Sequence, residues 1–230
     1  GGVIYIDAKA AKELLYVFAT MAQLFGRMDD VRVINYSTGN QTIALRHWIK
    51  KSNTANPFAR GDANTGAQTL MGLLPPSGGD NQFFLDRAIS ALTVLMPVLC
   101  ELRDYGHLNI YPSLIGHFIS LKRFIQLANN KIIMPPRIGE QDGDELTGVT
   151  ISDKNRSQVI YFLKNLQVED LSKEDPGKHP EEARRLFGYA EGYFARTLAN
   201  LAGTYGHIYE TELAEAEPTN VINQNLLLLV

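Results

Sequence analysis

The feature that most restricts the fold is Leu226-Leu227-Leu228-Leu229-Val230, five apolar residues in succession that run to the last position of the sequence. Such a run shows no polar alternation, and that fits a strand covered on both faces, the type found inside parallel sheets. An interior strand needs neighbours on two sides, and two candidates lie at the opposite end of the sequence. Val3-Ile4-Tyr5-Ile6 is a short β-branched and aromatic run emptying into Asp7, and Val31-Arg32-Val33-Ile34-Asn35-Tyr36 is a second. Between them Leu14, Leu15, Phe18, Met21, Ala22 and Phe25 recur at three- and four-residue spacing, with Gly26 behind them as a left-handed stop. Residues 1 to 38 therefore predict a βαβ unit and a parallel sheet. The sheet strands are placed at residues 3–6, 31–36 and 221–230.

The middle of the chain carries helical signals instead. After a polar, loop-like stretch from 39 to 62, punctuated by Asn56-Pro57-Phe58 and Gly61, a helix is predicted over 64–74. A longer one follows, from an Asp80 cap to Tyr105 with Gly106 behind it, and Pro97 in its interior should kink or split it. Pro112 and Ser113 open a short helix, and 121–130 forms another. The stretch 131–151, around Glu140-Gln141-Asp142-Gly143-Asp144-Glu145, is too acidic and too poor in large apolar residues to pack by itself, and reads as a mobile loop. Ser152 caps a helix with the face Val159, Ile160, Phe162, Leu163 and Leu166. Pro180 then sits where a first helical turn tolerates proline, ahead of the stripe Leu186, Tyr189, Ala190, Tyr193, Phe194, Thr197, Leu198, Leu201, Ala202 and Tyr205, which Gly206 should end. A βαβ unit, a run of helices and a terminal core-type strand together suggest a helical insertion cut from a larger α/β domain.

Composition narrows the function classes. The 230 residues carry 22 Lys and Arg against 25 Asp and Glu, a net charge of −3, so any attraction to nucleic acid or anionic lipid must come from a local patch. With 45% apolar and 20% charged residues the chain should fold. The longest apolar run, 88–100, contains Pro97 and falls short of the ~20 residues that cross a bilayer. No secretory leader is legible at the start, and the piece reads as soluble. The single cysteine, Cys100, lies within that run, which makes it a buried structural thiol and points to a reducing compartment.

Motifs for chemistry are sparse. No G-x-x-x-x-G-K-[ST] occurs, Gly203-Thr204-Tyr205-Gly206 lacks the lysine, and no acidic pair follows an apolar strand, so this chain alone is expected to be inactive in nucleotide hydrolysis. His47, His107, His117, His179 and His207 show no ligand spacing, and no metal site is expected. Asp7 and Lys9, at the carboxyl end of the first strand, stand where open α/β sheets place ligand-facing residues; a loop salt bridge is the plainer account. The cations Lys50 and Lys51, near Arg46 and His47, with Lys122, Arg123, Arg184 and Arg185, are either solvated helix faces or a surface for nucleic acid or a protein partner.

One further signal lies in the order of short motifs. Ile4-Tyr5-Ile6-Asp7-Ala8-Lys9, Val33-Ile34-Asn35-Tyr36, Asn56-Pro57-Phe58, Asp86-Arg87-Ala88-Ile89, Arg103-Asp104-Tyr105-Gly106 and Thr204-Tyr205-Gly206-His207-Ile208, followed by Asn225 and an apolar strand, resemble in order and spacing the type IV coupling proteins of the TraG/TraD-like superfamily, in its DotL/IcmO and TrbC-like branch. The resemblance covers essentially the whole chain. It implies a mainly α fold: a helical insertion, the all-alpha domain, at 60–207, carried on strands of a RecA-like α/β nucleotide-binding domain at 1–59 and 208–230. It also implies an inner-membrane-anchored, homo-hexameric parent ATPase that uses ATP and Mg and delivers DNA-relaxase or effector substrates to a type IV secretion or conjugation channel. The phosphate loop and the acidic Walker B segment would lie outside these residues, so no cofactor is expected in this chain, while Asp7 and Lys9 would approach the parent's nucleotide site. Ala10 and Ala11 depart from the Gly-acid that usually follows this Asp-x-Lys. The expected role is recognition of relaxosome or effector substrates, or of other secretion-system subunits, on the cytoplasmic side of the membrane, with the isolated piece a monomer or weak dimer. Two rivals remain: a helical DNA-binding module, and a small enzyme with an unrecognised site.

Overall fold

The apolar run at the end of the sequence forms a strand, and its neighbours come from the beginning of the sequence. The computed structural model describes residues 1–7, 12–36, 52–74, 80–137, 139–140, 143–211 and 214–230. Strands β1 (Val3–Tyr5), β2 (Val31–Val33) and β3 (Leu227–Leu229) form a parallel sheet in the order β1-β3-β2. Leu227 stands opposite both Val3 and Val31, and Leu229 opposite both Tyr5 and Val33. Because β3 is central, its side chains lose solvent on both faces; Leu228 and Leu229 are buried. Each such leucine contributes about 1.5–3 kcal/mol by leaving water, which is why an unalternating sequence is tolerated here.

The chain divides into two compact units, one made of Gly1–Ala59 and Asn200–Val230 and the other of Arg60–Ala199. The sheet unit contains, besides the three strands, helix α1 (Lys12–Leu24) and helix α8 (Pro218–Asn223). Helix α1 ends as its sequence predicts: Gly26 takes φ +66°, and the Arg27 amide reaches back to the Ala22 carbonyl at 2.7 Å. The Arg27 guanidinium bonds the Asn225 carbonyl and Asp30, tying the end of the helix to the start of β3. A small core of Ile34, Ile208, Ala216, Val221, Leu226 and Leu228 closes the unit.

The helical unit contains α2 (Ala63–Gly72), α3 (Asp80–Asp104), α4 (Pro112–Phe118), α5 (Leu121–Ala128), α6 (Asp153–Asn165) and most of α7 (Glu181–Tyr209), whose last residues belong to the sheet unit. Helix α3 is its spine. Ala88, Ala91, Leu92, Leu95, Val98 and Leu99 are completely buried along it, and it packs on α2 and α6. Phe124 of α5, Phe162 of α6 and Phe187 of α7 meet with ring centroids 4.9–6.0 Å apart, a tilted and edge-on cluster that joins three helices. The start of α6 is fixed twice over: Ser152 Oγ accepts the Asn155 amide, and the Glu101 carboxylate of α3 accepts from the Ser152 amide and hydroxyl and from the Asn155 side chain.

Several expectations change. Pro97 does not split α3, which is continuous from Asp80 to Asp104. Gly206 does not end α7, which runs to Tyr209, because Tyr205, Ile208 and Tyr209 pack on the sheet-unit core and hold the last turn. Residues 221–230 are not one strand: Pro218 opens α8 and buries Val221, and only Leu227–Leu229 is extended. In α1 the residues expected to face a core are divided, with Ala19 and Ala22 buried but Met21 and Phe25 exposed. Tyr189, expected on the buried stripe of α7, is exposed as well. Finally, the acid-rich stretch is held at its described positions. Ile133 and Glu145 form an antiparallel bridge, the Met134 amide donates to the Asp144 carbonyl at 2.9 Å, and Ile132 and Ile151 are buried.

Candidate functional site

In an open parallel sheet, loops at the carboxyl ends of the strands collect ligand-facing groups. Here those ends bring together Asp7 after β1, Asn35 and Tyr36 after β2 and Val230 after β3. The Asp7 amide donates to the Val230 carbonyl at 2.6 Å, so the residue singled out in the sequence stands beside the end of the central strand. Its companion Lys9 lies outside the described residues, as do Lys50, Lys51, Arg46 and His47.

Next to β2 the sheet unit is stitched by a polar web that the sequence did not announce. The side chain of buried Asn53 accepts the Val33 amide at 2.8 Å and donates to Glu215 at 3.0 Å, while Ser52 Oγ accepts the Asn35 amide at 3.1 Å. Glu215 also accepts the Thr54 amide at 3.2 Å. Residues 52–54 thereby close the outer edge of β2. The Asn56-Pro57-Phe58 motif has a structural explanation here: Asn56 Oδ1 accepts the Phe58 amide at 2.9 Å, its Nδ2 donates to the Thr211 carbonyl, and Phe58 is buried.

Above the same strand, Tyr36, Tyr205 and Tyr209 form an aromatic group, with Tyr36 edge-on to Tyr205 at 5.6 Å and the Tyr209 hydroxyl donating to that of Tyr36 at 2.8 Å. Burial first, and then the Tyr36 contact, push the Tyr209 phenol well above the ordinary tyrosine range, so it stays a neutral donor. Nearby His207 has both ring nitrogens buried without a hydrogen-bond partner among the described residues. No single-sequence signal pairs Tyr36 with Tyr209 or Asn53 with Glu215, since their separations, 173 and 162 residues, are tertiary facts.

In the helical unit two of the four predicted cations, Arg123 and Arg185, are engaged with neighbours. Arg123 donates to Gln126 at 2.8 Å; Gln126, itself buried, donates to Glu174 at 2.8 Å, and Lys131 completes the chain with an ion pair to Glu174. The hydrogen bonds from Lys131 and Gln126 hold the Glu174 carboxyl below the usual range, and the reciprocal bond raises Lys131. Arg185 pairs with Glu182 at 2.7 Å, and Arg87 of α3 reaches the same carboxylate at 3.2 Å. Lys122 and Arg184 are exposed on the first turns of α5 and α7. The Arg185–Glu182 ion pair fits a solvated, partly neutralised helix face at that position, while Arg123 is held by the neutral amide of Gln126.

The other titratable candidates are structural. His117 binds the Ile133 carbonyl at 2.9 Å and its pKa is lowered, chiefly by burial; His179, buried, binds the Lys173 carbonyl at 2.6 Å. Burial pushes the Cys100 thiol up, away from thiolate chemistry. Among the described residues no group of three or more His, Cys, Asp and Glu side chains is placed to hold a metal ion, and no helix is long and apolar enough to cross a membrane.

No family model matches the chain. Over 231 aligned residues it is 29% identical to the type 4 coupling protein DotL of Legionella pneumophila subsp. pneumophila (strain Philadelphia 1). The alignment takes in the whole of this chain and 29% of that protein, so the chain spans under a third of the length of the curated relative it matches. It is a relative of a type IV coupling protein.

Proposed function

We propose that this relative of a coupling protein is the part of a type IV secretion or conjugation ATPase in which an all-alpha domain, at residues 60–207, is inserted between strands of a RecA-like nucleotide-binding domain. In this reading the helical unit recognises relaxosome or effector substrates, or other subunits of the secretion system, and does so by surface contacts rather than by catalysis. The observation that carries the reading is the position of β3: the last strand of the sequence lies between the first two, so the compact unit Arg60–Ala199 is an excursion out of one sheet and back into it. The similarity to DotL, which extends over the whole of this chain, supports the same reading.

The parent would be a membrane-anchored homo-hexamer that uses ATP and Mg, its nucleotide held by residues outside this chain, with Asp7 and Lys9 near that site. The exposed cations Lys122 and Arg184 are the first choice for a partner-facing surface in the helical unit.

The test uses the longer protein in cells. Lys122→Glu with Arg184→Glu should reduce co-purification of secretion substrates or partner subunits at least about fivefold, equivalent to a loss of about 1 kcal/mol, while nucleotide hydrolysis stays at its original rate. Unchanged capture and unchanged substrate transfer would remove this surface from the account. Salt-sensitive binding of duplex DNA to the 230-residue chain, abolished by the same substitutions, would establish the DNA-binding alternative instead.

A further inference from the structure

Among the described residues α7 is the helix that passes from one compact unit into the other, with the division between Ala199 and Asn200. Before that point buried side chains hold it turn after turn: Ala183, Leu186, Phe187, Ala190, Phe194 and Leu198. Beyond it the sequence turns against the helix. Gly203 and Gly206 fall within one turn of each other, and glycine is among the weakest helix formers because its backbone has the most freedom to lose. Neither backbone angle nor crowding requires glycine at these sites. Both are in ordinary helical conformation; a Cβ at Gly203 would meet nothing within 4 Å, and one at Gly206 only the Glu210 side chain at 3.5 Å.

The last turns are helical because of what they touch. Ile208 is completely buried in the small core of the sheet unit. The Ala55 amide donates to the Ile208 carbonyl at 2.9 Å, filling one of the acceptors that a helix end leaves open, and the Asn56 side chain donates to the Thr211 carbonyl just beyond. Tyr205 and Tyr209 meet edge-on with centroids 6.3 Å apart, and both pack on Tyr36, whose hydroxyl accepts from Tyr209 at 2.8 Å. Tyr36 stands three residues after β2, at the carboxyl edge of the sheet, and is 42% exposed, so solvent reaches the ring that holds the helix end. Where a few long-range contacts override local preference in this way, two conformations lie close in energy.

We propose that residues 203–209 are a latched joint. With Tyr209 bonded to Tyr36, α7 is helical to its end. When a group that stacks on the Tyr36 ring or bonds its hydroxyl displaces that contact, the helix stops at the two glycines, and the helical unit is joined to the sheet unit through a flexible segment. The fold thereby carries a device by which occupancy of the strand ends sets the freedom of the helical unit. The device needs no assumption about the activity of the longer protein.

Hydrogen exchange resolved to single amides in the 230-residue chain tests it. Tyr36→Phe and Tyr209→Phe each remove the hydroxyl contact and keep the ring, and each should speed exchange of the 207–209 amides at least about fivefold, the effect of one lost hydrogen bond. The double variant should add less than about twofold to either, because both changes remove the same bond. Amides at 190–198 and in α3 should keep their rates, since the opening is local. Gly203→Ala with Gly206→Ala should slow the 207–209 amides at least about fivefold and offset the effect of Tyr209→Phe. Equal exchange in wild type and Tyr36→Phe would overturn the proposal, as would no response to the glycine replacements. Acceleration spread evenly along α7 would overturn it too, by making the hydroxyl pair an ordinary stabiliser of the whole fold.

Discussion

The helical unit and the sheet unit handle large apolar side chains differently. In the helical unit Phe118, Phe124, Phe187 and Phe194 are fully withdrawn from water, and among the described residues the exposed large groups, such as Leu73, Tyr105 and Tyr161, stand singly along the sequence. In the sheet unit the exposed residues form runs: Val3 to Ile6 on one strand, and Tyr16, Val17, Met21, Leu24 and Phe25 on one helix. Isolated exposed apolar groups are ordinary on any surface, whereas contiguous ones mark an interface. Among the described residues the helical unit thus packs its large apolar groups against one another, and the sheet unit does so on the side formed by β3, α8 and the end of α7.

That contrast can be broken at its strongest point first. Phe124→Ala removes a fully buried ring from the Phe162–Phe187 cluster and should cost about 4 kcal/mol in denaturant unfolding, with loss of near-ultraviolet aromatic signal. A cost below about 1 kcal/mol would mean that the cluster is not a core. The next effect is at the closed edge of the sheet. Asn53→Ala removes the acceptor of the Val33 amide and one of the donors to Glu215 and should cost about 2 kcal/mol, read as unfolding free energy together with faster exchange of the Val33 amide.

A smaller effect is set by pH. Burial lowers the His117 pKa in the folded state, so the unfolded chain binds the proton more readily. The stability associated with neutral His117 is complete above the ordinary histidine value of 6.5 and is lost as pH falls from there towards the depressed folded value. His117→Asn should flatten the decline in melting temperature between about pH 6.5 and 5, the window set by the unperturbed imidazole. An identical decline in wild type and variant would contradict the assignment. Smallest of all, Leu24→Ser on the exposed stripe of α1 should change the stability of the 230-residue chain by no more than about 0.5 kcal/mol.

What could be read in the sequence follows the range of the forces involved. Ser152, Gly26 and Gly106 act within one turn of their own helices, and each does in the structure what its position indicates. The apolar run at 226–230 announces a buried parallel strand because no other environment suits it. Long-range contacts override local punctuation elsewhere. Gly206 reads as a stop, but Ile208 and Tyr209 gain more from the core than the glycine costs, so α7 continues through it. In α1 the spacing correctly gives a helix, yet periodicity reveals only that a stripe exists and not which neighbour covers it, so Met21 and Phe25 read as core residues although both are exposed. At the candidate site, the rule about strand ends points to Asp7, while Asn53, Glu215, Tyr36 and Tyr209 depend on pairings more than 160 residues apart.

The account rests on β3 lying between the first two strands, and nuclear Overhauser effects in the 230-residue chain measure this directly. Leu227 and Leu229 should show interstrand contacts of the parallel pattern to Val3 and Tyr5 on one side and to Val31 and Val33 on the other, all within one species. Contacts to one strand alone, or an antiparallel pattern, would contradict it.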